Sequence, residues 1–347
     1  MINKISKRLK LVAQVFFTGQ ISSEPRGEIP SITSEEVAEF KAFFPLDKFF
    51  IFGHARSGTT LLTRLIRLHP EVHCNYQGHF FTRKPAIEGL VDSGAIEAWL
   101  ARRSNRWNRG RDLSPVMLRA AVEFVMEREA RAVGASVVGD KSPNALLNGE
   151  AVLRMSKIYP DGKLIFIVRD GRDAAVSHRF QQFIDAPQHL TKQDWRIRKD
   201  FENAPELFMR GDRSIFTEAG IRRAAEGWFR NVTETDQVGQ EIFGDDQFVS
   251  IRYEDLLNTP WEQMEYLWEF LGVDILLPDL RDLLSEELGS NPDAKWQQQK
   301  AGELVEPLKK GKSGSWQELF TARDKQIFKD IAGEALIAWG YEKGLDW

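Results

Sequence analysis

The chain has 347 residues, of which 42% are hydrophobic and 28% charged, values that suit a sizeable globular core rather than a disordered or fibrous chain. Its formal net charge of −4 supplies no overall positive field for nucleic acid, so any anionic ligand has to be held by local groups. The single cysteine, Cys74, excludes an internal disulfide framework and a multi-cysteine metal site.

In chain order, the first twenty residues are basic and amphipathic. Ile2, Ile5, Leu9, Val12 and Phe16 alternate with Lys4, Lys7, Arg8 and Lys10. The segment lacks the long apolar centre and small-residue cleavage site of a signal peptide. It reads as a surface helix packed on the domain, with a peripheral membrane contact as the alternative. No apolar run in the chain approaches the roughly 18–20 residues of a membrane-spanning helix. The expected location is therefore cytoplasmic, peripheral to a membrane in the alternative reading. Residues 20–34 are rich in Ser, Pro, Gly and Glu, so 1–45 reads as an amphipathic segment plus linker and 46–347 as one domain.

Lys48-Phe49-Phe50-Ile51-Phe52-Gly53 is a continuous apolar run, the mark of a strand buried on both faces. Helical periodicity follows from Thr60 to His69, where Leu61, Leu62, Leu65, Ile66 and Leu68 are apolar and Pro70 closes the segment. Further strands are expected at Ser136–Gly139, Lys163–Val168 and Gln247–Tyr253, with helices between them. One helix starts at Asp173, another at Pro260, and a last one opens at Thr321 with Asp324 three residues on as a capping pair. Residues 85–135 and 178–245 carry charged helical patterns and would wall and cap the sheet. The expected fold is α/β: a P-loop-type, doubly wound, mostly parallel sheet with helices on both faces and a helical cap. Strand ends in such a sheet share one edge, where ligands bind.

Gly53-His54-Ala55-Arg56-Ser57-Gly58-Thr59-Thr60 joins the first strand to its helix with the glycine spacing of a phosphate loop. An ATP-type loop has Lys where Thr59 stands, and the cation here is Arg56. Without that lysine, and with no clear acidic strand end for Mg²⁺, a triphosphate would be poorly neutralised. An anion held by backbone donors, one arginine and the Ser57, Thr59 and Thr60 hydroxyls needs no metal. At the end of the strongest strand stands Arg169-Asp170-Gly171-Arg172-Asp173, with Ser177 two helical turns on. Arg169 and Ser177 could converge on a second phosphate; equally, Arg169 could be a surface ion pair with Asp170 or Asp173. Arg172 reads as a salt-bridging neighbour.

Arg56-Ser57-Gly58-Thr59-Thr60-Leu61 resembles the 5′-phosphosulfate loop of sulfotransferases that use 3′-phosphoadenosine-5′-phosphosulfate (PAPS). The use of Arg in this turn, and Leu68-His69-Pro70-Glu71-Val72 after it, is nearer the bacterial and tyrosylprotein-type branches than the cytosolic one. Arg169 followed eight residues later by Ser177 is similar to the family's 3′-phosphate element, and two separate clamps match a donor with two phosphate positions. The resemblance implies that Tyr253, in Tyr253-Glu254-Asp255-Leu256, contacts the adenosine phosphate part of the donor. It implies that Lys312, Gly314 and Ser315, in Gly311-Lys312-Ser313-Gly314-Ser315-Trp316, close over the 3′-phosphate with Trp316 as anchor. Lys141, in Asp140-Lys141-Ser142-Pro143, matches the lysine that steadies the transferring group. One position departs from the tyrosylprotein pattern: the base expected three residues after Cys74 is Gln77, which cannot take a proton. His79 is the nearest titratable substitute.

The implied activity is sulfuryl transfer from PAPS, without a metal, to a hydroxyl or amine of an unidentified glycan, small molecule, lipid or peptide. The product nucleotide would be 3′-phosphoadenosine-5′-phosphate (PAP). A P-loop small-molecule kinase and a non-catalytic PAP-binding protein are the alternatives. Acceptor identity and oligomeric state are not written in any motif.

Overall fold

A computed structural model describes residues 27–84, 86–102, 104, 106–290 and 313–347. The basic segment at the N-terminus and Lys312 lie outside the described residues. Chain order runs α1 (Ser34–Phe43), β1 (Asp47–Gly53), α2 (Thr59–Ile66), β2 (Val72–Tyr76), α3 (Gly94–Leu100), α4 (Ser114–Ala132), β3 (Val137–Lys141), α5 (Glu150–Ile158) and β4 (Lys163–Val168). There follow α6 (Gly171–Asp185), α7 (Lys192–Asn203), α8 (Glu218–Gln247), β5 (Phe248–Arg252), α9 (Tyr253–Asn258), α10 (Pro260–Leu271), α11 (Leu280–Ser290) and α12 (Ala322–Ala338), with short helical turns between some of them.

The five strands form one parallel sheet in the order β2-β3-β1-β4-β5. The side chains of β1 alternate between two cores. Phe50 and Phe52 join the face covered by α4, α5, α8 and α12, while Phe49 and Ile51 join the face covered by α2 and α10. Both faces are thus buried, which is why β1, β3 and β4 read as apolar runs. The expected doubly wound α/β architecture is present. The chain leaves β1 toward β2 and leaves β4 toward β5, so the direction of winding reverses between the adjacent strands β1 and β4. In open α/β sheets such a reversal is where ligands bind, outside the carboxyl ends of the strands.

The structure adds a strand to the sequence reading and moves the start of a helix. Four strands are expected and the sheet has a fifth, β2, whose Val-His-Cys-Asn-Tyr pattern is too short and polar to read as a strand. Helix α6 begins at Gly171, because the Asp170 side chain accepts from Arg172 N and caps it. The capping pair expected at the last helix is formed: Thr321 Oγ1 accepts from Asp324 N, and the Asp324 carboxylate accepts from Thr321 N.

Beside the amino ends of the strands lies a buried ionic network. Lys48 Nζ is 2.8 Å from Glu123 Oε2 and 2.7 Å from Glu127 Oε1. Arg119 grips Asp161 with two parallel bonds of 2.7 and 2.9 Å and reaches Glu123 at 3.2 Å. Its guanidinium also lies 4.6 Å from the Tyr159 ring centre.

Candidate active site

All five carboxyl ends of the sheet contribute polar side chains to one edge. The turn after β1 sets the centre. Arg56 and Gly58 both take positive φ, 70° and 89°, which reverses the chain within a few residues. Gly58 is the residue before α2, and it leaves that helix without a side-chain cap. A Cβ at Gly58 would lie 2.1 Å from Cδ2 of Tyr253, so only glycine fits under the tyrosine ring. The N-terminus of α2 therefore presents open backbone donors, and its dipole favours an anion there. Ser57 is fully buried, and its Oγ has no hydrogen-bond partner.

The two predicted clamps meet at Arg56. Its Nε donates to Ser177 Oγ at 3.1 Å, and Arg169 Nη1 donates to the Arg56 carbonyl at 3.2 Å. Arg169 and Ser177 are thus linked through Arg56, and Arg169 takes neither of the ion pairs with Asp170 or Asp173 that the sequence allowed. Arg169 Cζ lies 4.8 Å from the Tyr253 ring centre, and its buried Nε has no hydrogen-bond partner. The strand end behind it is fixed from both sides: Trp228 Nε1 donates to Arg169 O at 3.0 Å, and Asp170 N donates to Glu254 Oε1 at 3.1 Å. Tyr341 OH donates to the other oxygen of Glu254 at 3.0 Å. Two buried groups without partners beside an open helix terminus form a cradle that a ligand with several acceptor oxygens would satisfy.

The acidic residues of the second motif have separate duties. Asp170 takes Arg172, which also pairs with Glu342 and stacks on Trp316 at 3.7 Å and Trp347 at 4.3 Å. Arg172 is a salt-bridging neighbour, as the sequence suggests. Asp173 holds the late loop instead, accepting from Gly314 N at 2.6 Å and Trp316 N at 3.1 Å. Burial pushes the Asp173 carboxyl up, while Arg169 and the two loop N–H groups oppose the shift. Gly314, Ser315 and Trp316 are thereby placed at the start of the helix that carries Ser177. No sequence signal assigned this anchoring to Asp173, because both Asp170 and Asp173 look like helix caps.

On the other side of the crevice, β3 ends in Lys141, which is only 1% exposed. Its Nζ donates to Thr60 Oγ1 at 3.2 Å and sits 5.0 Å from the Tyr76 ring centre. Sequence reasoning missed Tyr76 because it missed β2. Gln77, the departure from the tyrosylprotein pattern, donates its backbone N–H to Lys141 O at 2.7 Å and so borders the lysine directly. The turn beyond has positive φ at Gln77 (55°) and His79 (49°). Asp140 shapes it, accepting from Gly78 N at 2.9 Å and Ser142 Oγ at 2.6 Å, while Ser142 Oγ accepts from His79 N at 2.9 Å. The sequence reading finds no clear acidic strand end, yet Asp140 is one, with both oxygens engaged in this turn. Burial raises its pKa to about 6. His79 Nδ1 is 2.8 Å from Thr82 Oγ1, and burial, then Arg83 and Lys141, lower its pKa. The imidazole is therefore neutral at pH 7, and in the tautomer whose Nδ1–H donates to Thr82, Nε2 carries the free lone pair.

Among the described residues no group of three or more His, Cys, Asp or Glu is arranged to hold a metal, and no helix is long and apolar enough to cross a membrane.

Comparison with known proteins joins these elements. The chain is 24% identical over 243 residues to the protein-tyrosine sulfotransferase of Drosophila melanogaster, which is 69% of this chain and 40% of that enzyme. It is 24% identical over 235 residues to heparan sulfate glucosamine 3-O-sulfotransferase 3B1 of Homo sapiens, covering 67% and 48% of the two chains. The matched part spans less than half the length of these curated relatives. A solved structure of mouse sulfotransferase SULT7A1 complexed with PAP aligns with a TM-score of 0.46 at 17% identity, covering 93% of this chain and 98% of that one. The model described as "Sulfotransferase family" matches residues 48–278, from β1 to the loop before α11 and so well over half of the chain; the chain belongs to the sulfotransferase family.

Proposed function

We propose that this protein transfers a sulfuryl group from PAPS to a hydroxyl or amine acceptor. The observation that carries the reading is the meeting of two phosphate motifs at Arg56, between the carboxyl ends of β1 and β4. The residues suit such a donor. Ser57 Oγ, the open α2 terminus and Arg56 would receive the 5′-phosphosulfate, and Arg169, Ser177 and the loop at Gly314 and Ser315 the 3′-phosphate. Tyr253 would lie along the nucleotide while holding Gly58 in shape.

In the reaction, an acceptor oxygen or nitrogen forms a bond to sulfur as the bond from sulfur to the bridging phosphate oxygen breaks. The products are the sulfated acceptor and PAP, and the acceptor's proton passes to a base. Arg56 neutralises charge that gathers on the departing phosphate, and buried Lys141 does the same for the sulfuryl oxygens. His79 receives the proton, since Gln77 cannot.

Thermal denaturation with ligands tests the reading. PAP should raise the melting temperature without Mg²⁺, while ADP and ATP should do little. Arg169→Ala should reduce the PAP effect toward the ADP level, a loss on the order of tenfold or more in affinity for one charged clamp. Equal stabilisation of the parent protein by ADP would remove the two-clamp reading and favour a kinase-like nucleotide site.

A further inference from the structure

The chain beyond α12 returns to the sheet edge that carries Arg169 and the late loop. Gly340 takes a φ of 71°, and Tyr341 N donates to Leu336 O at 2.8 Å, which ends the helix and reverses the chain. Gly333 of α12 leaves room for the return, because a Cβ there would lie 2.6 Å from Cδ2 of Leu345. Side chains of this segment then reach the second phosphate motif. Tyr341 OH donates to Glu254, whose other carboxylate oxygen accepts from Asp170 N, next to Arg169. Glu342 pairs with Arg172 of α6. The Trp347 ring centre is 5.4 Å from that of Trp316, with the planes at 79°.

Trp316 is the fixed point of the late loop. Gly314, at a φ of 94°, and Trp316 give their N–H groups to Asp173, and the buried Trp316 ring meets the Arg172 guanidinium at 3.7 Å. The same guanidinium lies 4.3 Å from the Trp347 ring centre. One cation is thus held against two indoles, while Asp170 and Glu342 accept from its nitrogens. Trp347 keeps its place by its ring alone, since its Nε1 is buried without a hydrogen-bond partner. The returning segment therefore bears on both halves of the clamp. It holds the Arg169 strand end through Glu254, and it holds the loop through Arg172 and Trp316.

We propose that Tyr341, Glu342 and Trp347 are positioning residues for the 3′-phosphate clamp, a role that rests on the two-clamp reading of donor binding. They brace the Arg169 strand end and the loop at Gly314 and Ser315 in one receiving geometry, without themselves meeting the ligand. A clamp set before the ligand arrives spares binding the cost of ordering it. Loss of the brace is therefore read as a loss of preference for the 3′-phosphate. Loss of ordinary packing would instead lower the melting temperature and weaken every nucleotide alike.

Calorimetric titration of the full chain with PAP and with adenosine 5′-monophosphate (AMP), which differs only in lacking the 3′-phosphate, measures that preference. The parent should bind PAP about a hundredfold more tightly than AMP. Trp347→Ala should weaken PAP about tenfold and AMP less than about twofold. Trp347→Phe should keep most of the preference, because the ring contact stays and no hydrogen bond is lost. Glu342→Gln changes a side chain that is 20% exposed and leaves Arg172 on Asp170, so it should fold and cost PAP about threefold. A parent-like ratio of PAP to AMP affinity in Glu342→Gln, or in Trp347→Ala where it folds, overturns the brace. So does equal weakening of the two ligands, which would make the segment a part of the packing only. A parent that binds AMP as tightly as PAP overturns the two-clamp reading itself, and the brace with it.

Discussion

The two edges of the sheet are both rich in buried charge and are built on opposite plans. Beside the amino ends, Lys48 meets two glutamates and Arg119 grips Asp161 and Glu123, so each cation faces carboxylates. At the carboxyl ends, Arg56 and Lys141 reach hydroxyls, Arg169 reaches a carbonyl and an aromatic face, and Ser57 Oγ and Arg169 Nε have no hydrogen-bond partner. Cations paired with carboxylates serve the fold, and cations set on hydroxyls, a carbonyl and an aromatic face beside unbonded polar atoms are shaped for a ligand. Charge count does not separate the two edges; the partners do.

The largest expected effect lies at the amino edge. Lys48→Met leaves Glu123 and Glu127 buried beside an apolar side chain and should destabilise the fold by about 3–5 kcal/mol, read by urea unfolding. The gain in melting temperature on adding PAP should survive in the fraction that folds. A loss below about 1 kcal/mol would mean that water reaches the pair and that the edges are less distinct than their geometry.

Next in size is Asp140, which shapes the turn at the other edge. Burial holds its folded pKa at about 6, above the ordinary aspartate value of 3.8. The folded chain therefore binds this proton more tightly than the unfolded chain does. This group's contribution to stability is fully present below pH 3.8 and is lost as the pH rises through about 6. The span is about 3 kcal/mol at most. Asp140→Asn keeps an acceptor for Gly78 N and should flatten that part of the stability–pH curve between pH 4 and 6. A curve unchanged by the substitution would assign the titration elsewhere.

The smallest effect expected is at His79. Because its pKa is lowered, turnover should be level near pH 7 and fall only below pH 6.5. His79→Ala should remove that limb and slow turnover by roughly a hundredfold. An unaltered rate and profile would eliminate His79 as the base.

Much of the β1–β4 side of the site was legible because the physics there is local. Strands buried on both faces give continuous apolar runs, so β1 and β4 stand out, and the turn after β1 announces its glycines and hydroxyls within eight residues. The Lys141 side was less legible because it depends on β2. As an edge strand of five residues it needs few apolar side chains, so Tyr76 and the turn at Gln77 were not seen as neighbours of Lys141. Convergence was also hidden. Ser177 stands 121 residues from Arg56, and the loop at Gly314 stands 141 from Asp173, distances that only the folded sheet closes.

The tyrosine ring over Gly58 has a further consequence. The shape of the turn after β1 is held by a residue at the far end of the sheet, nearly two hundred positions away in the chain. Grafting Arg56–Thr60 onto another strand–helix junction would carry the letters of the motif without the mould that forms it. A transplant that brought an aromatic side chain to the same place would begin preorganised, and its ligand would not have to order the loop on arrival.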